Sequence, residues 1–192
     1  MTFPGECLPS RRHMRTVARP LLLLVLLDAA VSLAASDQEL IKDAEATVAT
    51  FKKTDPKIEK FFSSASGYAA FPTIAKGGFV VGGAGGDGVL FVKGKAVGRA
   101  SMGQATVGLQ AGGQSFSEII FFETPASLSS FQKGDFALAA QASAVALSAG
   151  AAAVAKYENG VAIFTATKGG LMYEASVGGQ KFGYKAFGGP AK

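Results

Sequence analysis

A glycine cluster set between two runs of β-branched and aromatic residues constrains this chain more than any other feature. It reads Gly67-Tyr-Ala-Ala-Phe-Pro-Thr-Ile-Ala-Lys-Gly-Gly-Phe-Val-Val-Gly-Gly-Ala-Gly-Gly-Asp-Gly-Val-Leu90. Glycine takes positive φ angles at no steric cost, so the glycines of residues 83–88 predict the turn of a hairpin between strand-forming runs. Gly83, Gly85 and Gly88 also satisfy G-x-G-x-x-G, but a dinucleotide-binding loop needs a helix after it. Val89, Leu90, Phe91 and Val92 continue in strand-forming residues instead, and nucleotide binding is not expected.

The first 35 residues have the three parts of a secretory leader. Arg11, Arg12, Arg15 and Arg19 form a basic region, residues 21–27 an apolar core, and residues 31–36 a small-residue cleavage zone with the cut between Ala34 and Ser36. The apolar run is short for a span of about 20 residues and is followed by Asp28, which favours a cleaved signal over an anchor. With no Cys after the core, lipid acylation of a new N-terminus is not expected. Met14 is an alternative start that leaves a full signal. The expected organisation is a signal peptide over residues 1–35 and one domain over 36–192, exported to a periplasmic or secreted location.

Removing residues 1–35 takes away four Arg and two carboxylates, leaving 15 basic and 12 acidic side chains and a net charge of +3. Cys7 and His13 leave with the leader, Trp is absent throughout, and Arg99 is the one arginine that stays. Thiol nucleophiles, Cys/His zinc sites, Ser-His-Asp triads and disulfides are thereby excluded from the exported chain. With no histidine, stability is expected to be flat between about pH 5.5 and 7.5.

Ser36 and Glu39 have capping-box spacing and predict that a helix starts there. Leu40, Ile41, Ala44, Val48 and Phe51 fall on one face of it, with Lys42, Asp43, Glu45 and Lys52 on the other. Asp55 as N-cap and Pro56 at the first helical position predict a second helix to about Ser64. From Gly77 onward the pattern turns to strands, at residues 79–81, 89–92, 104–110, 116–122, 161–167, 171–177 and 181–187, separated by glycine pairs or by Lys93-Gly94-Lys95. Thr124 followed by Pro125 predicts one short helix inserted among them, to Phe131. The expected fold is α+β, mainly β: N-terminal helices (36–64) packed on an antiparallel, barrel-like β-meander (65–187) with one short inserted helix.

The 67–90 stretch resembles the signature of the SYLF domain family, and the resemblance covers roughly residues 65–184. It implies a lipid-binding module, with actin binding in some eukaryotic members and no established catalytic activity. The alanine-rich stretch 137–155 has the composition of a helix. However, Phe136 and Leu138, then Val145 and Leu147, alternate with small residues, and with the resemblance they favour a strand.

Lys52, Lys53, Lys57 and Lys60 surround the joint of the two N-terminal helices, with Phe61 and Phe62 beside them to insert into a membrane. Lys76 and Lys168, each in a Lys-Gly-Gly-apolar turn, are expected to add a basic rim. The expected partner is an anionic phospholipid membrane surface, with an envelope structural or interaction role as the alternative. Actin is discounted for an exported chain, and no nucleic acid, cofactor or metal is expected. No Ser-x-x-Lys or Gly-x-Ser-x-Gly motif is present. Catalysis would require carboxylates drawn from Asp87, Glu118, Glu123 and Glu174 to meet in space.

Overall fold

The structure, a computed structural model, describes residues 18–78, 81–107, 114–138, 144–167 and 179–188. Two compact units are distinguished, Met1–Ser36 and Asp37–Lys192. The described part of the first is helical; the second holds the sheet and the remaining elements.

Helix α1 (Ala18–Thr54) passes through Ser36 without interruption, so the capping box expected there does not begin a helix. The predicted apolar face is the one that packs. Ala44 and Phe51 are buried, while Leu40, Ile41 and Val48 are half-buried against the same cluster. Asp55 then caps a 3-10 turn (Pro56–Ile58) by accepting from the Lys57 N–H at 3.1 Å, and α2 (Glu59–Ser64) follows, as Asp55 and Pro56 predicted.

Among the described residues seven strands form one sheet: β1 (Gly67–Gly78), β2 (Val81–Val92), β3 (Lys95–Val107), β4 (Gln114–Phe122), β5 (Val145–Ala146), β6 (Val161–Thr167) and β7 (Lys181–Ala186), in the order β5-β6-β4-β1-β2-β3-β7. All neighbours are antiparallel except β5 and β6. The fold is α+β and mainly β. The sheet is not the sequential meander expected, because β4 returns to pair with β1 and a single parallel pair ends the order. Nor is it closed into a barrel among the described residues.

Strand structure begins at Gly67, ten residues earlier than the sequence pattern indicated, and the glycine cluster is not a turn. Glycines 82–88 lie inside β2, and none of them has a positive φ. The turn between β2 and β3 is made instead by Lys93 (φ 51°) and Gly94 (φ 74°), the pair of positive angles that suits a two-residue hairpin. What the cluster accommodates is the neighbouring strand. The register of β1 slips by one residue against both β2 and β4 around Pro72, a bulge that takes the proline out of the ladder in a central strand. A Cβ on Gly86 would sit 2.4 Å from the Thr73 carbonyl oxygen. On Gly88 it would sit 2.6 Å from both the Ala70 oxygen and the Phe71 ring. Ser117 on β4 donates to the Pro72 carbonyl at 2.8 Å and steadies the bulge from the other side.

Each sheet face carries a core. Ala70, Val89, Phe91, Ile119, Phe121, Ala162 and Phe164 face α1, the 3-10 turn, α2 and the short α4 (Ala151–Val154). Phe71, Ile74, Leu90, Met102, Phe116, Ile120, Phe122 and Phe182 form the other face, beneath Leu128 and Phe131 of α3 (Pro125–Lys133). Helix α3 is the predicted insert, with the Thr124 hydroxyl accepting from the Ser127 N–H and Pro125 at the first position.

Stretch 137–155 is not the strand expected of it. Its described parts are an isolated bridge from Ala137 to Lys181, the two-residue β5, a turn through Gly150 (φ 86°) and α4. Its described parts are placed by contacts with segments distant in sequence. Leu138 donates to the Gln180 carbonyl at 3.0 Å, and β5 lies beside Phe164 and Thr165 of β6. The expected strand 171–177 lies outside the described residues.

Candidate functional site

The corner where α1 ends and the 3-10 turn and α2 begin gathers the four lysines the sequence singled out. Lys52 is ion-paired with Glu59 at 3.0 Å and lies 4.4 Å over the Phe62 ring. Lys53 and Lys57 are exposed. Lys60, also exposed, donates to the carbonyls of Ala153 and Ala155 at 3.1 and 3.2 Å. A lysine at the C-terminal end of a short helix satisfies carbonyls that have no intrahelical partner. The same contacts fasten α4 to the corner.

The phenylalanines divide. Phe61 is buried, its ring 5.0 Å from Phe164, 5.2 Å from Tyr157 and 5.5 Å from Phe121. It is a core residue, and insertion into a membrane is corrected for this position. Phe62 is half-buried against Tyr68 and Phe121. Lys76 is half-buried in β1, opposite Ala84 and Gln114, rather than at a turn. Lys168 lies outside the described residues, so the expected rim of Lys76 and Lys168 is not formed among them.

One residue that the sequence reading missed belongs to this corner. Val154, the last residue of α4, is 81% exposed although the two residues flanking it are held by Lys60. Next to it opens a cavity of about 510 Å³, lined by Phe136, Leu138, Val145, Val154, Val161 and Ile163, with Lys156 and Glu158 also on its wall. An alanine-rich stretch gives no sequence signal for which of its apolar residues is left in solvent. Lys60 and Asp55 decide it, because the Asp55 carboxylate accepts from the Ala152 N–H at 2.7 Å. That bond is the main cause holding the Asp55 pKa below its ordinary value, with the Lys57 and Gly150 backbone bonds acting the same way.

The carboxylates considered for catalysis are dispersed. Asp87 lies 3.6 Å from Arg99, which also binds Asp37 of α1 through Nε and Nη2 at 3.1 Å each. Glu123 is exposed, and Glu174 lies outside the described residues. Glu118 is fully buried on β4, where it accepts from Gln180 Nε2 at 3.2 Å. Burial pushes its pKa up to about 7 against the lowering effect of that bond. The expectation of pH-independent stability near neutrality is therefore corrected. A carboxyl removed from water titrates in a range where residues 36–192 have no histidine. Among the described residues no three acidic, His or Cys side chains converge as a metal site, and no helix is long and apolar enough to cross a membrane.

No protein-family model matches this chain, and no curated protein matches it.

Proposed function

We propose that this protein is a non-catalytic, exported module that binds anionic phospholipid surfaces through the corner of α1, the 3-10 turn, α2 and α4. The observation that carries the reading is the placement of exposed Val154 between the two residues that exposed Lys60 holds, Ala153 and Ala155, at the corner whose helix end and 3-10 turn also carry exposed Lys53 and Lys57. Cations that meet lipid phosphates next to an apolar side chain able to enter the acyl boundary are the two ingredients of peripheral binding. The resemblance of residues 67–90 to the SYLF signature and the secretory pattern of the leader support the same reading. Lys52 contributes less than its neighbours, since Glu59 already neutralises it.

Sedimentation with vesicles of phosphatidylglycerol and phosphatidylcholine tests this. Changing Lys53 and Lys57 to Gln is expected to cost about 2 kcal/mol of affinity at low salt, roughly thirtyfold, at about 1 kcal/mol per lysine near the surface. Val154→Asp should weaken binding to the same vesicles without lowering the melting temperature, because the side chain is already in water. The control removes Lys133, Lys181 and Lys185. Equal losses in control and corner variants would mean that net charge alone binds. No binding to any vesicle would shift the reading to an envelope interaction protein.

A further inference from the structure

Glu118 lies in the middle of β4, and Gln180 immediately precedes β7; both are fully buried. In the ladder Glu118 stands between Phe71 of β1 and Thr165 of β6. The bond from Gln180 Nε2 uses Glu118 Oε2, and two oxygens remain buried with no donor among the described residues, Glu118 Oε1 and Gln180 Oε1. An ionised carboxylate brings only acceptors, so the charged form cannot satisfy the Gln180 oxygen; a protonated carboxyl brings one O–H donor. Two unpaired acceptors on one buried acid–amide pair are the imprint of a missing proton.

We propose that Glu118 and Gln180 form a proton-dependent latch. With its proton, Glu118 Oε1 donates to Gln180 Oε1 while Gln180 Nε2 donates to Glu118 Oε2, tying the start of β7 to the centre of the sheet. When the proton leaves to solvent, a bare charge and an unmatched amide oxygen stay in the core, at a cost that opening of β7 relieves.

The location suits a local opening. Among the described residues, strand β7 ends the sheet order and pairs with β3 on one side. On the other side its approach holds the stretch at Ala137 and Leu138, through Leu138 N–H to the Gln180 carbonyl and Gly179 N–H to the Leu138 carbonyl. Releasing Gln180 therefore loosens β7 and residues 137–138 together. The other ionisable groups on the packed elements are Tyr68 and Lys76 of β1, Lys181, Tyr184 and Lys185 of β7, Lys133 of α3 and Asp135 just after it; β4 and β6 carry none besides Glu118. None of them shifts Glu118, whose tendency to keep its proton comes from burial.

Hydrogen exchange and infrared spectroscopy on the full chain at pH 6 and pH 8.5, with Glu118→Gln as the comparison, test the latch. After correction for intrinsic exchange, amides of β7 and of residues 137–138 should lose roughly tenfold or more protection at pH 8.5 in the wild type, relative to β1 and β2. Protection in the variant should not change with pH, because a second amide donates the same bond at both values. The infrared signal of a protonated carboxyl should be present at pH 6, lost at pH 8.5 and absent from Glu118→Gln. The latch is wrong if the wild type shows no protonated carboxyl at pH 6, if β7 protection is pH-independent, or if the variant loses protection as the wild type does. Should the variant fail to fold, the two wild-type measurements still decide.

Discussion

Gly86 and Gly88 are glycine because the bulged strand beside them leaves no room for a side chain. Their φ angles are available to any residue, so backbone freedom is not the reason. The two explanations separate experimentally. Gly88→Ala drives a methyl against a carbonyl oxygen and the Phe71 ring, and should destabilise by about 2 kcal/mol or more in urea titrations. Gly85→Ala, exposed and 3.4 Å from the Met102 oxygen, should stay within about 0.5 kcal/mol. Equal effects at both sites would contradict the packing explanation. Two carboxyls set the pH response with opposite signs. Folded Glu118 keeps its proton to about pH 7, against an ordinary value of 4.5, so between these values the folded state binds more protons and stability falls as pH rises. At about 1.36 kcal/mol per unit, the loss between pH 4.5 and 7 is about 3 kcal/mol. Asp55 is shifted down, so its contribution is present above its ordinary value of 3.8 and lost as pH falls below it. Urea midpoints measured from pH 3 to 8.5 should peak between about pH 4 and 5, and a midpoint that climbs from pH 5 to 8 contradicts the assignment for Glu118.

Elements whose ends carry their own stop signals were legible in the chain. Helix α3 is the clearest case: Thr124 and Pro125 mark its start, while Gly134 (φ 77°), which the expected end at Phe131 did not use, closes it after Lys133. Thr124→Ala should cost about 1 kcal/mol through the lost bond to the Ser127 N–H. Gly134→Ala should cost a further 1 kcal/mol or so, because its left-handed angle disfavours a Cβ. Additive losses in thermal melts of the double variant would match two independent ends, whereas no loss at Thr124 would remove the cap from the account. Strands β4 and β6 were legible from apolar runs buried on both faces, and the β2–β3 turn from Lys93-Gly94. Strand β1 was missed because Pro72 argues against a central strand, and only the bulge admits it. Stretch 137–155 was misread because alanine favours no partner. Its placement comes from Asp55, Lys60 and Gln180, distant in sequence.

Across the whole molecule, the proposed membrane contact predicts a salt response distinct from that of the fold. Exposed Lys53 and Lys57 act through water, so vesicle binding should weaken as the Debye length shortens from about 30 Å at 0.01 M to about 8 Å at 0.15 M. The unfolding midpoint should change little over that range, since exposed lysines add little to stability. Vesicle binding that is indifferent to salt would point to an apolar contact through Val154 and the neighbouring cavity alone. By itself the sequence determined the chemistry left to the chain after residue 35, the amphipathic face of α1, the caps at Asp55 and Thr124, and a mainly β body, because each of these depends on neighbours a few residues away. Tertiary structure alone decided that the glycine cluster faces a bulge, that Phe61 is core, that Val154 joins the lysine corner, and that Glu118 meets Gln180. Those outcomes depend on which surfaces meet across the sheet, and residues 62 or 97 positions apart carry no local sign of their pairing.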